Sequence, residues 1–280
     1  MVTTPGYIHD LNPFAIQFTE TIGIRWYGLS YLAGFIVGHW LIYRFVRRHE
    51  SPLPVALVSD FVFSVALGTI VGGRLGYCIF YQPRLLTQFT SDLPFWGVLA
   101  FNQGGMASHG GILGIIIACW WFARRHQLPM LHLMDLTTFG GAVGIFFGRI
   151  ANFVNGELVG RIASAGHPFA VRFPSDVFSW PTSDPARLST LAPVTELVGV
   201  SKEEWLRTVV TNPHSALIDR TLSRLVTSIQ DGNVAVRETL GPLLDPRHPS
   251  QLYQAALEGG VIALLLFWFA RKPRAFGFFA

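Results

Sequence analysis

Five apolar runs, each close to the length of a membrane-crossing helix and nearly free of charge, constrain this chain more than any other feature. They occupy residues 26–43, 61–81, 104–123, 131–147 and 252–270. Crossing hydrocarbon as a helix takes about 20 predominantly apolar residues, because every backbone N–H and C=O must find its partner inside the segment. None of the five shows sustained period-two alternation, so the strands of a membrane barrel are not expected. Composition agrees: 14% of residues are charged and 50% hydrophobic, with mean hydropathy +0.40, against roughly 25% charged in a soluble domain. That balance excludes a disordered chain, a collagen-like repeat and a disulfide scaffold, and it disfavours a soluble enzyme. The net charge of +4 does not indicate nucleic acid, since the basic residues sit in short clusters between apolar runs and form no solvated basic patch.

Those clusters set an expected orientation. Arg44, Arg47 and Arg48 follow the first run, Arg124 and Arg125 the third, and Arg271, Lys272 and Arg274 the fifth. Basic residues in short loops stay on the cytoplasmic side. The N-terminus is therefore expected outside and residue 280 inside. The expected fold is an all-α polytopic membrane protein with five transmembrane helices in this chain and a large extracytoplasmic arm between helices four and five. It divides into a four-helix core with its following motif (1–160), the arm (161–250), and the fifth helix with the C-terminal segment (251–280). The N-terminus lacks a basic n-region, so no cleavable signal is expected.

Within the arm, Ser201-Lys202-Glu203-Glu204 reads as a capping-box helix start. Ile218, Leu222, Leu225 and Ile229 recur at helical spacing and stop at Asp231-Gly232-Asn233. In the apolar runs, glycines recur four apart at 34/38, 68/72/76, 110/114 and 140/144/148, the pattern of helices packed closely in lipid. Cys78 and Cys119 fall in different runs, too far apart along the expected topology to pair.

Ionisable groups inside spans are costly and usually pair with one another or serve a site. Here Arg74, His109, Arg149, Asn152, Arg247, His248 and Gln251 all fall on the outward half of their expected helices, at the level of Arg25, Trp26 and Tyr27. Arginine offers a planar fork that matches two phosphate oxygens, and histidine can accept a proton near neutral pH. A site of this kind suits transfer of a lipid group to a nucleophile. Two other readings compete with it: an anion transporter or channel, which would need an inverted repeat or midplane helix breaks, and an inactive lipid-binding scaffold.

At this point a longer pattern stands out. The stretch Gly148-Arg149-Ile150-Ala151-Asn152-Phe153-Val154-Asn155-Gly156-Glu157-Leu158-Val159-Gly160-Arg161 resembles the signature of the bacterial prolipoprotein diacylglyceryl transferases. Supporting matches are Arg25-Trp26-Tyr27-Gly28-Leu29, Gly72-Gly73-Arg74-Leu75-Gly76-Tyr77, Gly104-Gly105-Met106-Ala107-Ser108-His109-Gly110-Gly111 and Arg247-His248-Pro249-Ser250-Gln251-Leu252-Tyr253. The resemblance implies transfer of the diacylglyceryl group of phosphatidylglycerol to the thiol of a lipobox cysteine in a prolipoprotein, with release of glycerol phosphate. It implies His109, Arg149 and Tyr27 as catalytic residues, His109 being the candidate base for the thiol. Arg149, Asn152, Glu157, Gly160, Arg74 and Arg247 are implied as the phosphatidylglycerol-binding set. No cofactor, metal or nucleic acid is implied, and the location is the bacterial inner membrane with the site toward the periplasm.

Three departures accompany the resemblance. The segment 175–245 is longer than the family's usual arm, and Gln254 stands where glutamate is common. The family fold has seven helices, so this chain is expected to lack the last two and to be weakly active or inactive by itself.

Overall fold

A computed structural model describes residues 6–18, 23–48, 51–91, 94–100, 104–164 and 166–280. Three short strands open it: β1 (Tyr7–Ile8), β2 (Phe14–Gln17) and β3 (Gly23–Arg25), the last two forming an antiparallel pair. They lead into helices α1 (Trp26–Arg48), α2 (Val58–Phe80), α3 (Ser108–His126) and α4 (Met130–Val154). The arm follows with β4 (Val171–Arg172) and the single turns α5 (Trp180–Ser183) and α6 (Ala192–Thr195). Its longer helices are α7 (Lys202–Thr211), α8 (Ala216–Gln230) and α9 (Val234–Leu240), and β5 (Pro246–Arg247) closes it. The last helical stretch is α10 (Ser250–Gln254), a π-helical segment (Ala255–Val261) and α11 (Ile262–Phe269).

All five apolar runs are helical, and the molecule is mostly helix. Among the described residues, four stretches are long and apolar enough to cross a membrane: Trp26–Arg48, Val55–Phe80, Met130–Val154 and Ser250–Phe269. Helix α3 is the exception, because Ser108-His109 at one end and Arg124-Arg125-His126 at the other dilute its apolar centre. The helix bounds also depart from the expected ones. Helix α4 does not stop at residue 147 but continues to Val154, which places Arg149 and Asn152 on helix. Residues 104–107 precede α3 outside any helix or strand, with Gly104 and Gly105 in the left-handed region at φ +75° and +89°.

By contacts the chain forms two compact units, one of residues 1–31 and 146–257 and the other of residues 32–145 and 258–280. In the second unit α2 lies against α3 through glycine. A Cβ added at Gly68 would stand 2.5 Å from Gly114 O and 2.9 Å from Ala118 Cβ, and one at Gly76 would stand 2.7 Å from Gly110 Cα. The second glycine pairing joins α1 to α4, where a Cβ at Gly34 or Gly38 would meet the Cα of Gly144 or Gly140 at 3.5 and 3.4 Å. The spacing seen in the sequence is thus close backbone approach. A buried cluster including Ile42, Val58, Phe61, Cys119, Phe122 and Leu136 completes this unit. Both cysteines are free and buried.

These contacts make a stability prediction. A methyl at Gly72 would stand 2.8 Å from Gly114 Cα, and overpacking of this kind typically costs about 1–3 kcal/mol. Gly72→Ala should therefore lower the thermal midpoint in detergent. Gly141→Ala, where a Cβ meets nothing within 4 Å, should leave it unchanged or raise it slightly.

The arm in the first unit has its own core. Trp180 and Trp205 are fully buried with Leu188, Leu191, Leu222 and Leu225 around them, and Trp205 Nε1 donates to Leu188 O at 2.8 Å. The two sequence signals for helices hold: Ser201 Oγ accepts from Glu204 N at 3.3 Å at the start of α7, and α8 buries Ile218, Leu222, Leu225 and Ile229. A small sheet ties the arm's ends to the N-terminal segment, with β1 parallel to β4 and β4 antiparallel to β5.

One ion pair gives the arm a pH dependence. Arg187 donates to Asp245 and lies over the Trp180 ring at 4.1 Å. The hydrogen bond from Arg187 holds the Asp245 carboxyl below the usual carboxylate range. A depressed carboxylate contributes stability above its unfolded pKa, about 3.9, and loses it as pH falls through the lower folded value. Near-ultraviolet circular dichroism of the arm's tryptophans should show a thermal midpoint that falls below about pH 4. Asp245→Asn should be less stable at neutral pH and lose less on acidification.

Candidate functional site

The first unit gathers most of the expected site residues around the end of α4. Tyr27 sits in the first turn of α1 and is half-buried. Asn152, 5% exposed, donates from Nδ2 to Tyr27 Oη at 3.3 Å and reaches Glu157 Oε2 at 3.5 Å. Glu157 also accepts from Asn155 Nδ2 at 3.4 Å. Arg149, half-buried, precedes Asn152 by three positions on α4, so the two share a face.

After Val154 the chain leaves the helix in a tight turn that keeps Glu157 beside Asn152. Asn155 N donates to Ala151 O, Gly156 N to Phe153 O and Glu157 N to Asn152 O, each at 2.9 Å. Gly156 adopts φ +67°, and a Cβ there would stand 3.2 Å from Ser175 Oγ and 3.4 Å from His9 Cε1. A side chain would meet both strain and crowding at this position. Gly160 is similarly enclosed: a Cβ would stand 3.1 Å from Ser250 Cβ and press directly on the His248 carbonyl oxygen.

Arg247 secures the other side of this loop. Its Nε and Nη2 meet Asp176 Oδ2 at 3.0 and 2.9 Å, and its Nη1 donates to Gly160 O at 3.1 Å. Gln251, fully buried, donates from Nε2 to Glu157 O at 2.5 Å.

The second unit holds the other two expected residues, Arg74 and His109. Arg74 is 2% exposed and donates through all three guanidinium nitrogens to backbone. Nε bonds Val98 O at 2.7 Å, Nη2 bonds Gly97 O at 2.8 Å and Ala100 O at 3.0 Å, and Nη1 bonds Gly104 O and Gly105 O, the latter at 3.0 Å. A guanidinium has five N–H groups, and each is met by one of these carbonyls. Arg74 thereby organises the chain that leads into α3, where Ala107 N also donates to Gly73 O at 2.9 Å. His109, exposed, lies in the first turn of α3 immediately after that chain.

Sequence reasoning grouped Arg74 and Arg247 with the phosphate-binding residues; the structure gives their donors to carbonyls and, for Arg247, to Asp176. It did not single out His9, Ser175 or Asp176. His9 is 4% exposed and its Nε2 lies 2.7 Å from Phe153 O. Ser175 Oγ donates to Gly156 O at 2.5 Å. Nothing in the local sequence marks either residue, because each acts across more than ten intervening positions through a fold that brings strands of two residues together.

Long apolar helices mark a polytopic membrane protein, and at the end of α4 it gathers a half-buried arginine, a buried asparagine and, in the turn that follows, an exposed glutamate. Residues 13–280 match the family profile described as prolipoprotein diacylglyceryl transferase. A phosphatidylglycerol–prolipoprotein diacylglyceryl transferase of Bdellovibrio bacteriovorus is 50% identical over 277 residues, covering 98% of this chain and 79% of that protein. Proteins of the same name from Nitrobacter winogradskyi and Pseudomonas fluorescens are 34% and 35% identical, covering 95% of this chain and 67% and 72% of their own lengths. The chain belongs to the prolipoprotein diacylglyceryl transferase family, and it is a transferase.

Proposed function

We propose that this protein transfers the diacylglyceryl group of phosphatidylglycerol to the thiol of the lipobox cysteine of a prolipoprotein. The observation that carries the reading is the hydrogen-bonded Tyr27–Asn152–Glu157 arrangement on the helix end that bears Arg149. In the reaction a C–S bond forms between the cysteine Sγ and the terminal glyceryl carbon as the C–O bond to phosphate breaks. The electron pair of that bond leaves on the phosphate oxygen, and the thiol proton passes to a base. Arg149 binds the phosphate and stabilises the charge that grows on it as the ester bond breaks. Asn152 and Glu157 orient the loop and Tyr27 against that phosphate, with Gly160 allowing the loop's close approach to residues 248–250.

His109 is the proposed base for the thiol. Arg247 is assigned to holding the loop after α4 and Arg74 to holding the chain before α3, since their donors are already engaged. Five spans are proposed, with the N-terminus outside, residue 280 inside and the arm at 161–250 on the periplasmic side of the inner membrane. Basic residues after the first, third and fifth helices support this orientation.

The reading is tested with membranes that contain the protein and a lipobox peptide. Labelled glyceride should reach the peptide from phosphatidylglycerol vesicles and not from phosphatidylethanolamine vesicles. A Cys→Ser peptide should remain unlabelled. Equal labelling from both lipids would overturn the substrate assignment.

A further inference from the structure

The loop that follows α4 is held through its carbonyl oxygens by side chains from outside it. Phe153 O accepts from His9, Gly156 O from Ser175 at 2.5 Å, Glu157 O from Gln251 at 2.5 Å, Leu158 O from Ser250 at 3.1 Å and Gly160 O from Arg247 at 3.1 Å. Leu158 adopts φ +53°, a conformation that costs a non-glycine residue of order 1–3 kcal/mol and persists only where the surroundings impose it. The loop's shape is therefore imposed by these donors and is not its own preference.

Among the five donors, His9 alone bonds the helix itself. Its backbone is fixed first, by the pairing of β1 with β4 and by its own N–H donating to Arg172 O at 2.9 Å. Its ring then sits 5.3 Å from both Phe153 and Phe173, and Nε2 reaches Phe153 O at 2.7 Å. A carbonyl can only accept, so Nε2 carries the proton. Burial favours the neutral ring, which leaves Nδ1 as the lone pair facing Gly156. Phe153 O also accepts Gly156 N, so both of its lone pairs are used. The carbonyl cannot rotate without breaking one of the two bonds.

We propose that His9 is a positioning residue for the transfer reaction: by fixing the Phe153 carbonyl it sets the rotation of the last turn of α4, and with it the aim of Arg149 and Asn152. The proposal rests on the assignment of those two residues to the lipid phosphate. Displacement of a positioned group by about 1 Å can lower a rate by about 100-fold, and loss of one of several supports should do less.

The test compares His9→Gln with His9→Leu in membranes supplied with phosphatidylglycerol and a lipobox peptide. Glutamine can place an N–H donor where Nε2 stands, whereas leucine fills similar space without one. His9→Leu should lower kcat about tenfold while leaving KM for the lipid within about twofold, and His9→Gln should recover most of the loss. If His9→Leu does not accumulate, His9→Met takes its place with the same expectation. Wild-type kcat in the donor-less variant overturns the proposal, as does an equal loss in His9→Gln, which would assign the effect to ring packing. Arg149→Ala is run beside them. If that variant is inactive and His9→Leu is not impaired, the functional reading stands and the role of His9 fails; if Arg149→Ala is fully active, the reading itself fails.

Discussion

Replacing Arg149 by alanine is expected to reduce kcat/KM for transfer by at least about 100-fold, the usual effect of removing one preorganised donor from a developing anion. Arg149 lies half-buried on the last two turns of α4, three residues before the asparagine that bonds Tyr27 and Glu157. Charge on the leaving phosphate grows as the C–O bond breaks, so the loss should fall mainly on kcat. Arg149→Lys keeps the charge but not the planar fork that meets two oxygens at once. It should be intermediate, with a larger rise in KM than its change in kcat. The thermal midpoint of each variant, measured on the same preparations, separates a catalytic loss from an unfolded site. A folded Arg149→Ala variant that transfers at the wild-type rate would remove arginine from the mechanism.

Arg74→Met is expected to be the most destabilising single change at a polar position. It withdraws donors from the carbonyls of Gly97, Val98, Ala100, Gly104 and Gly105 at once. Each buried acceptor left without a partner costs about 1–3 kcal/mol, while a whole domain is stable by only about 5–15 kcal/mol. Residues 97–100 and 104–107 should lose their fixed path, and His109, two residues beyond the latter, should lose its placement. Arg74→Lys should fare little better, because one ammonium cannot reach carbonyls arrayed around three nitrogens. Retention of the monomeric peak after graded heating in detergent measures this directly. A wild-type melting curve for Arg74→Met would show that these bonds contribute little.

The helices were legible because lipid and buried packing both require long uninterrupted apolar stretches, and 131–147 reads as helix whatever lies around it. Its continuation to Val154 was harder to read, since Arg149 and Asn152 break the apolar pattern while leaving the backbone bonds intact. The glycine spacing at 68/72/76 and 110/114 was legible for a related reason: a four-residue repeat places all of its members on one face of a helix. The π-helical turn at Ala255–Val261 was not, although it contains Glu258-Gly259-Gly260; a one-residue shift in hydrogen bonding leaves no periodic mark. The strands β1, β4 and β5 are two residues long and so carry no alternation to detect. For the proposed site, the proximity of Arg149, Asn152 and Glu157 was legible because they lie close together in one motif. The contacts of His9 and Ser175 with Phe153 and Gly156 were not, because they join positions far apart in the chain and exist only once it has folded. Arg74 was visible as a buried cation, but charge alone does not distinguish a phosphate partner from a ring of carbonyls.

The most direct test of the account follows both products of one turnover. Phosphatidylglycerol labelled in its headgroup phosphate and its acyl chains is incubated with the protein and a lipobox peptide. The account predicts one glycerol phosphate released for each diacylglyceryl group gained by the peptide, with the new mass on the cysteine sulfur as a thioether and both yields falling together in Arg149→Ala. Release of headgroup phosphate without peptide modification, or labelled peptide that keeps the phosphate, would contradict it.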